Sequence, residues 1–153
     1  MMLARRGHPT SSATLLHDGS PHATAATEAF CRLPWVQAIA VRVVTVDDGR
    51  VDVAGAARAA SERLDQASIR HTVHAVQAAH GRATEELLND IERTSPDLVV
   101  MGTRGLSLLE RLRIGSAARA VAHHTGVCML LAADHPDAAT GTTSVATRHR
   151  PTT

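Results

Sequence analysis

The chain contains no lysine: all 16 of its basic residues are arginine, set against 15 acidic residues in 153 positions. That absence removes the P-loop ammonium that grips nucleotide phosphates, and the amine that forms a Schiff base with a carbonyl or pyridoxal group. Positive charge here is always guanidinium, which holds phosphate well and transfers protons poorly. Aromatic rings are nearly absent too, with Phe30 and Trp35 alone and no tyrosine. Single-strand nucleic-acid binding by base stacking needs exposed rings, so the composition argues against it. A net charge of +1 also lacks the broad basic footprint of a nucleic-acid-binding domain. Cys31 and Cys128 are far apart and form no metal or redox spacing. They read as small buried hydrophobes in a reducing, cytoplasmic setting. No apolar run approaches the roughly 20 residues that span a bilayer. Arg5 and Arg6 are followed by no apolar stretch, so no secretory signal is expected.

What is present is an Ala/Val/Leu/Ile core in a chain of single-domain length, 44% hydrophobic and 20% charged, which fits a folded domain and not wholesale disorder. Residues 1–12 and 135–153 are polar, lack a periodic apolar face and read as disordered tails around a domain at 13–134. Within that domain strand and helix signals alternate. Ala13 to His17 is a short apolar run that stops at Asp18-Gly19-Ser20-Pro21, where Ser20 can cap a helix and Pro21 fits its first turn. The helix that follows places Ala23, Ala26, Phe30 and Leu33 on one side and stops at Pro34. Val36 to Val46 reads as one strand, and Val53, Ala56, Ala57, Ala60, Leu64 and Ala67 then recur at helical spacing. Ile69, His71, Val73 and Ala75 alternate as a half-buried strand does. A third helix over 84–93 turns Leu87, Leu88 and Ile91 inward, before the apolar strand Leu98 to Met101 that ends at Gly102. A fourth helix over 116–124 and a last strand from Val127 to Leu131 complete the pattern. Alternating βα units with apolar central strands predict an α/β fold, an open parallel sheet covered by helices on both faces. Its crossovers are expected to be right-handed.

The chemically informative stretch is Gly102-Thr103-Arg104-Gly105, nine residues, then Gly115-Ser116. The first two glycines stand at a strand's carboxyl end and permit close approach of a ligand to the backbone. Gly115-Ser116 opens a helix whose free N–H groups, with those of Ala117, make an anion site. Arg104, Arg111, Arg113 and Arg119 surround it against Glu110 alone, so the expected partner is a phosphate. Ser107 and Glu110 have capping-box spacing, a short helical turn within the loop. Asp18 ends the first strand as Gly102 ends the fourth. In open α/β sheets ligands lie outside such strand ends where the strand order reverses, so Asp18 is placed to accept from an adenine amino group or a ribose hydroxyl. The competing reading gives Asp18 only the support of its own Asp-Gly turn.

The spaced glycines resemble the G-2x-G-9x-G-(S/T) motif of the ATP-binding universal stress proteins. Asp97 to Gly105, DLVVMGTRG, is similar to that family's fourth strand and loop, His17-Asp18-Gly19-Ser20 to its first-strand ending, and Gly81 with Glu85-Glu86-Leu87 to the turn into its third helix. The resemblance covers roughly residues 13–132. It implies a five-stranded parallel sheet in order 3-2-1-4-5 that binds ATP or another adenine nucleotide with Mg²⁺ and serves stress regulation. It further implies that Asp18 meets adenosine, and that the backbone of Val43, ending the second strand, meets the adenine. Met101 to Gly105 then wrap ribose and phosphate, Gly115 and Ser116 cradle the phosphates, and a homodimer forms through 127–131. Ala118 stands where the family often has Ser or Thr, and the last strand lacks a common proline. Two other readings stay open: a slow ATPase or phosphotransferase on the same site, and a dimerising module without nucleotide. The ten histidines suggest no metal site, since His71 and His74 fall on opposite faces of a strand and His123-His124 are adjacent on a helix. His17 and His22 flank the site. No GxSxG nucleophile elbow occurs.

Overall fold

The computed structural model describes residues 10–47, 49, 51–79, 82–102 and 128–132. Five strands, β1 (Ser12–Leu16), β2 (Ala40–Asp47), β3 (His71–Gln77), β4 (Leu98–Gly102) and β5 (Cys128–Ala132), form one sheet in the order β3-β2-β1-β4-β5. Every neighbouring pair is parallel. Three helices are described: α1 (Pro21–Cys31), α2 (Val53–Gln66) and α3 (Ala83–Thr94). The expected fourth helix at 116–124, the capping box at Ser107 and both tails beyond residue 10 and residue 132 lie outside the described residues.

Alternation along the strands splits the core into two layers. Ala13 and Leu15 of β1, Val41 and Val43 of β2, and Leu98 and Val100 of β4 face Ala26 and Phe30 of α1 and Ala60 and Leu64 of α2. On the opposite face Leu16, Val44, Val46, Val99 and Met101 meet Ala83, Leu87 and Ile91 of α3. The central strands are therefore covered on both sides, which their unbroken apolar sequence requires.

The start signal of the first helix acts as read. Ser20 caps α1, its Oγ accepting the Ala23 N–H at 3.1 Å, and Pro21 opens the first turn. Asp52 caps α2 by accepting the Gly55 N–H at 3.0 Å. Ser95, in the left-handed region at φ 43°, ends α3 just before Pro96.

Three expectations are corrected. The second strand does not begin at Val36: Val36–Ala38 is a 3-10 turn, and β2 starts at Ala40. The turn sends both Val36 and Ile39 into the core, a three-residue spacing that a strand would split between faces. Trp35 packs edge-on against Phe30 at 6.4 Å between centroids, which folds the chain back after α1. β3 is also not half-buried. It is an edge strand that α2 and α3 cover incompletely, with Val73 44% exposed. The sheet also begins one residue earlier than expected, because Asp97 accepts from the N–H and hydroxyl groups of both Ser11 and Ser12 at 2.9–3.1 Å and fixes the start of β1 beside β4.

Candidate functional site

β1 lies between β2 and β4, and the strand order reverses there. Helix α1 packs over β4 and β5 and α2 over β2 and β3, and in open α/β sheets the carboxyl ends of the strands flanking such a reversal are where ligands lie. The sequence motif of the first strand and the glycine of the fourth meet at this place. Leu15 pairs with Val100, so two residues further on His17 stands level with Gly102.

The turn from β1 into α1 is held by successive side-chain bonds to the main chain. His17 Nδ1 accepts the Gly19 N–H at 3.2 Å, Asp18 Oδ1 accepts the Ser20 N–H at 3.0 Å, and Ser20 caps α1. Gly19 takes φ +81°, a conformation that side chains rarely adopt, so glycine is required at this position. Asp18 thus supports its turn through one carboxylate oxygen. No bond to its other oxygen is seen among the described residues.

Gly102 is needed for a different reason. A Cβ at this position would lie 2.6 Å from the carbonyl carbon of His22 and 2.8 Å from the Ala23 nitrogen. The main chain of α1's first turn rests directly on the end of β4, and only glycine admits that approach. Met101 is 3% exposed in the α3-side core, so only its main chain can serve a ligand.

Val43 is not at the end of its strand. It lies in the middle of β2, which continues to Asp47, and is completely buried. Its peptide groups also face the wrong way. Val44 accepts the His17 N–H at its carbonyl, so the groups of Val44 and Val46 face β1 and those of Val43 face β3. Leu16 pairs with Val44, which puts Val46 level with Asp18, just past the last residue of β1. The N–H and C=O of Val46 point into the crevice where β1 has ended. Sequence reading missed this because an uninterrupted Val-rich run gives no sign of where the partner strand stops.

Two buried polar atoms were also not legible: His17 Nε2 and Thr45 Oγ1 have no hydrogen-bond partner among the described residues. Of the remaining site residues read from sequence, Arg104, Gly105, Gly115, Ser116 and Ala117 lie outside the described residues. His71 and His74 do not converge: they bond to the Ile69 carbonyl at 3.1 Å and the Thr72 hydroxyl at 3.2 Å. No group of three metal-ligating side chains occurs among the described residues. A separate groove of about 530 Å³ between α1 and α2 is lined by Glu28, Arg32, Glu62 and Arg63, with Arg63 and Glu28 paired at 3.6 Å. It is remote from the strand ends and its charges are matched.

The universal stress protein family model matches residues 14–132, from within β1 to the end of β5. The chain belongs to the universal stress protein family. Among curated proteins none matches it by sequence. Solved structures share the fold at low identity. A universal stress protein in complex with cAMP is 20% identical, with a TM-score of 0.61, over 79% of this chain and 95% of that one. The protein UspA from Lactobacillus plantarum is 15% identical, with a TM-score of 0.65, over 82% and 99%. A family member from Arabidopsis thaliana with AMP bound is 11% identical, with a TM-score of 0.63, over 84% and 94%. No described helix of this universal stress protein is long and apolar enough to cross a membrane.

Proposed function

We propose that this universal stress protein binds an adenine nucleotide in the crevice between the carboxyl ends of β1 and β4 and acts as a nucleotide-responsive stress regulator. The observation that carries the reading is the meeting of Asp18, the main chain of Val46 and Gly102 at the reversal of strand order. Adenine presents an amino donor beside a ring-nitrogen acceptor. The C=O and N–H of Val46 match that pair, so Val46 takes the role assigned from sequence to Val43. The other oxygen of Asp18 accepts from a ribose hydroxyl or the adenine amino group. Gly102, with Arg104 and Gly105 after it, leads the chain toward the phosphates, and Gly115, Ser116 and Ala117 offer main-chain N–H groups to them. The chemistry of this set fits a nucleotide whose phosphates are held by peptide groups and guanidinium, as a chain without lysine requires. The nucleotide is ATP with Mg²⁺, the metal sitting on the phosphates, or a related adenine nucleotide. The cAMP and AMP complexes of the structural relatives support adenine as the base. β5 is the outermost described strand, beyond β4, and that edge position supports a homodimer formed through 127–131.

Calorimetric titration of ATP and of AMP tests the reading. Wild type is expected to bind both. In Gly115→Val a branched side chain stands where phosphate must approach the backbone, and ATP affinity is expected to fall at least about tenfold, ~1.4 kcal/mol. Equal ATP affinity in the two proteins would sink the assignment.

A further inference from the structure

His17, the residue after β1, is 2% exposed and continues the alternation of Ala13 and Leu15, which face α1 and α2. Because its Nδ1 accepts the Gly19 N–H, the neutral ring carries its proton on Nε2. That buried N–H has no partner among the described residues, and Thr45, one register step beyond the Leu16–Val44 pair on β2, holds a second polar atom without a described partner. The ring is therefore not kept for its packing alone. Its bond to Gly19 is one of three that shape the turn, and of the three it is the one whose acceptor is an imidazole nitrogen, which a proton abolishes.

Protonation puts an N–H on Nδ1 against the N–H of Gly19. An accepting contact becomes a repulsive one. The charges that act on the ring are Asp18 from the same turn, which favours the imidazolium, and Arg63 from α2, which opposes it; burial opposes it most and holds the imidazole below its ordinary value of 6.5. β2 contributes Asp47 at its end, α1 contributes His22 in its first turn, and β4 contributes the uncharged Gly102.

We propose that neutral His17 is a positioning residue for the ligand: by holding Gly19 it sets the Asp18 carboxylate toward the nucleoside, and on taking up a proton it releases the turn and weakens nucleotide binding. This rests on the nucleotide reading above and adds a pH response to it.

The test is calorimetric titration of AMP from about pH 8 to about pH 5, the range in which histidine titrates. It uses wild type, His17→Asn and His17→Leu. Asparagine keeps an acceptor for the amide two residues on, as in an Asx turn, and has no proton to gain. Each affinity is taken as a ratio to that of His17→Asn at the same pH, which cancels the titration of AMP's own phosphate. Wild type should lose affinity relative to His17→Asn by about tenfold per pH unit below the folded-state pKa of His17, since only the neutral fraction is competent. At about pH 8 the two should bind alike and His17→Leu more weakly. A pH-independent ratio, or an asparagine variant that fails to bind at high pH while folded, overturns the inference alone. Failure of wild type to bind AMP at any pH overturns the nucleotide reading and this inference with it.

Discussion

Replacing Asp90 with alanine is expected to cost on the order of 3 kcal/mol, the low end for removing one partner of a buried ion pair. Asp90 lies on the buried face of α3 with 5% exposure. Its carboxylate receives two bonds from Arg42 of β2, the second from Nη2 at 3.1 Å, and one from Arg93 at 2.6 Å. Arg42 is only 19% exposed, so without Asp90 its guanidinium is left largely desolvated between α3 and the sheet. The residual exposure lets water reach part of it, which is why the low end applies. Arg93 is 70% exposed, and Arg93→Ala is expected to change stability by no more than about 0.5 kcal/mol. Urea unfolding of the three proteins measures the difference; equal midpoints for Asp90→Ala and wild type would contradict the role given to Arg42.

The pair also sets part of the acid limit. Burial alone raises the Asp90 carboxyl, but the hydrogen bonds and charges of Arg42 and Arg93 outweigh it and hold the group below its ordinary value of 3.8. A carboxylate depressed in the folded state contributes stability in full above its unfolded value, and loses it as pH falls through the folded one. Wild type should therefore lose stability below about pH 3.8 from this source, and Asp90→Ala should lack that component.

Gly102→Ala is the second large effect. The new methyl carbon would meet only main-chain atoms of α1, the nearest at 2.6 Å, and a main chain cannot swing aside as a flexible side chain does. Either α1 lifts from β4 or the end of β4 bends. Insertion of a methyl group into such a contact costs about 1–3 kcal/mol. Lifting α1 is opposed by Ala23, Ala26 and Phe30, all buried against the sheet. The same shift moves the Asp18 turn away from Gly102, so AMP affinity should fall together with stability. Gly49 is the control. Its Cβ would touch nothing within 4 Å, and its φ of +78° is one that asparagine tolerates. Gly49→Asn should therefore leave both quantities near wild type. A Gly102→Ala protein with unchanged melting temperature and AMP affinity would show that the contact is not required.

Much of the architecture was readable because local signals and burial agree. Ser20-Pro21 starts a helix and Pro34 forbids its continuation, while Asp18-Gly19 can only be a turn after an apolar strand. The failures share one cause: each depends on what a neighbouring element does. Val36 and Ile39 are as β-branched as the strand that follows, yet the core wants both on one side, and Trp35 against Phe30 turns the chain to allow it. β3 alternates like a half-buried strand but stands at the sheet edge. The pairing of Arg42 with Asp90 was not read from the sequence. Arg42 interrupts an apolar strand on the face of Val44, and Asp90 falls three residues after Leu87, so the pairing had a faint signal in the two periodicities together.

At the site, the sequence located Asp18 and Gly102 correctly at the ends of their strands, but not Val46. Which peptide groups of β2 are free depends on where β1 stops, a relation between Leu16 and Val44, 28 residues apart, that no single run of sequence displays. The sequence placed His17 only as flanking the site. Its bond to Gly19 becomes visible only once Gly19 is placed at positive φ.

The most direct test of the nucleotide site is an amide chemical-shift map of the ¹⁵N-labelled protein titrated with AMP. The account predicts that the amides of Asp18, Gly19, Val46 and Gly102 shift together along one saturable curve, while Thr72 and His74 on the outer strand stay still. Saturable shifts confined to Cys31, Arg63 and Gln66 in the groove between α1 and α2, with the strand ends unmoved, would contradict it.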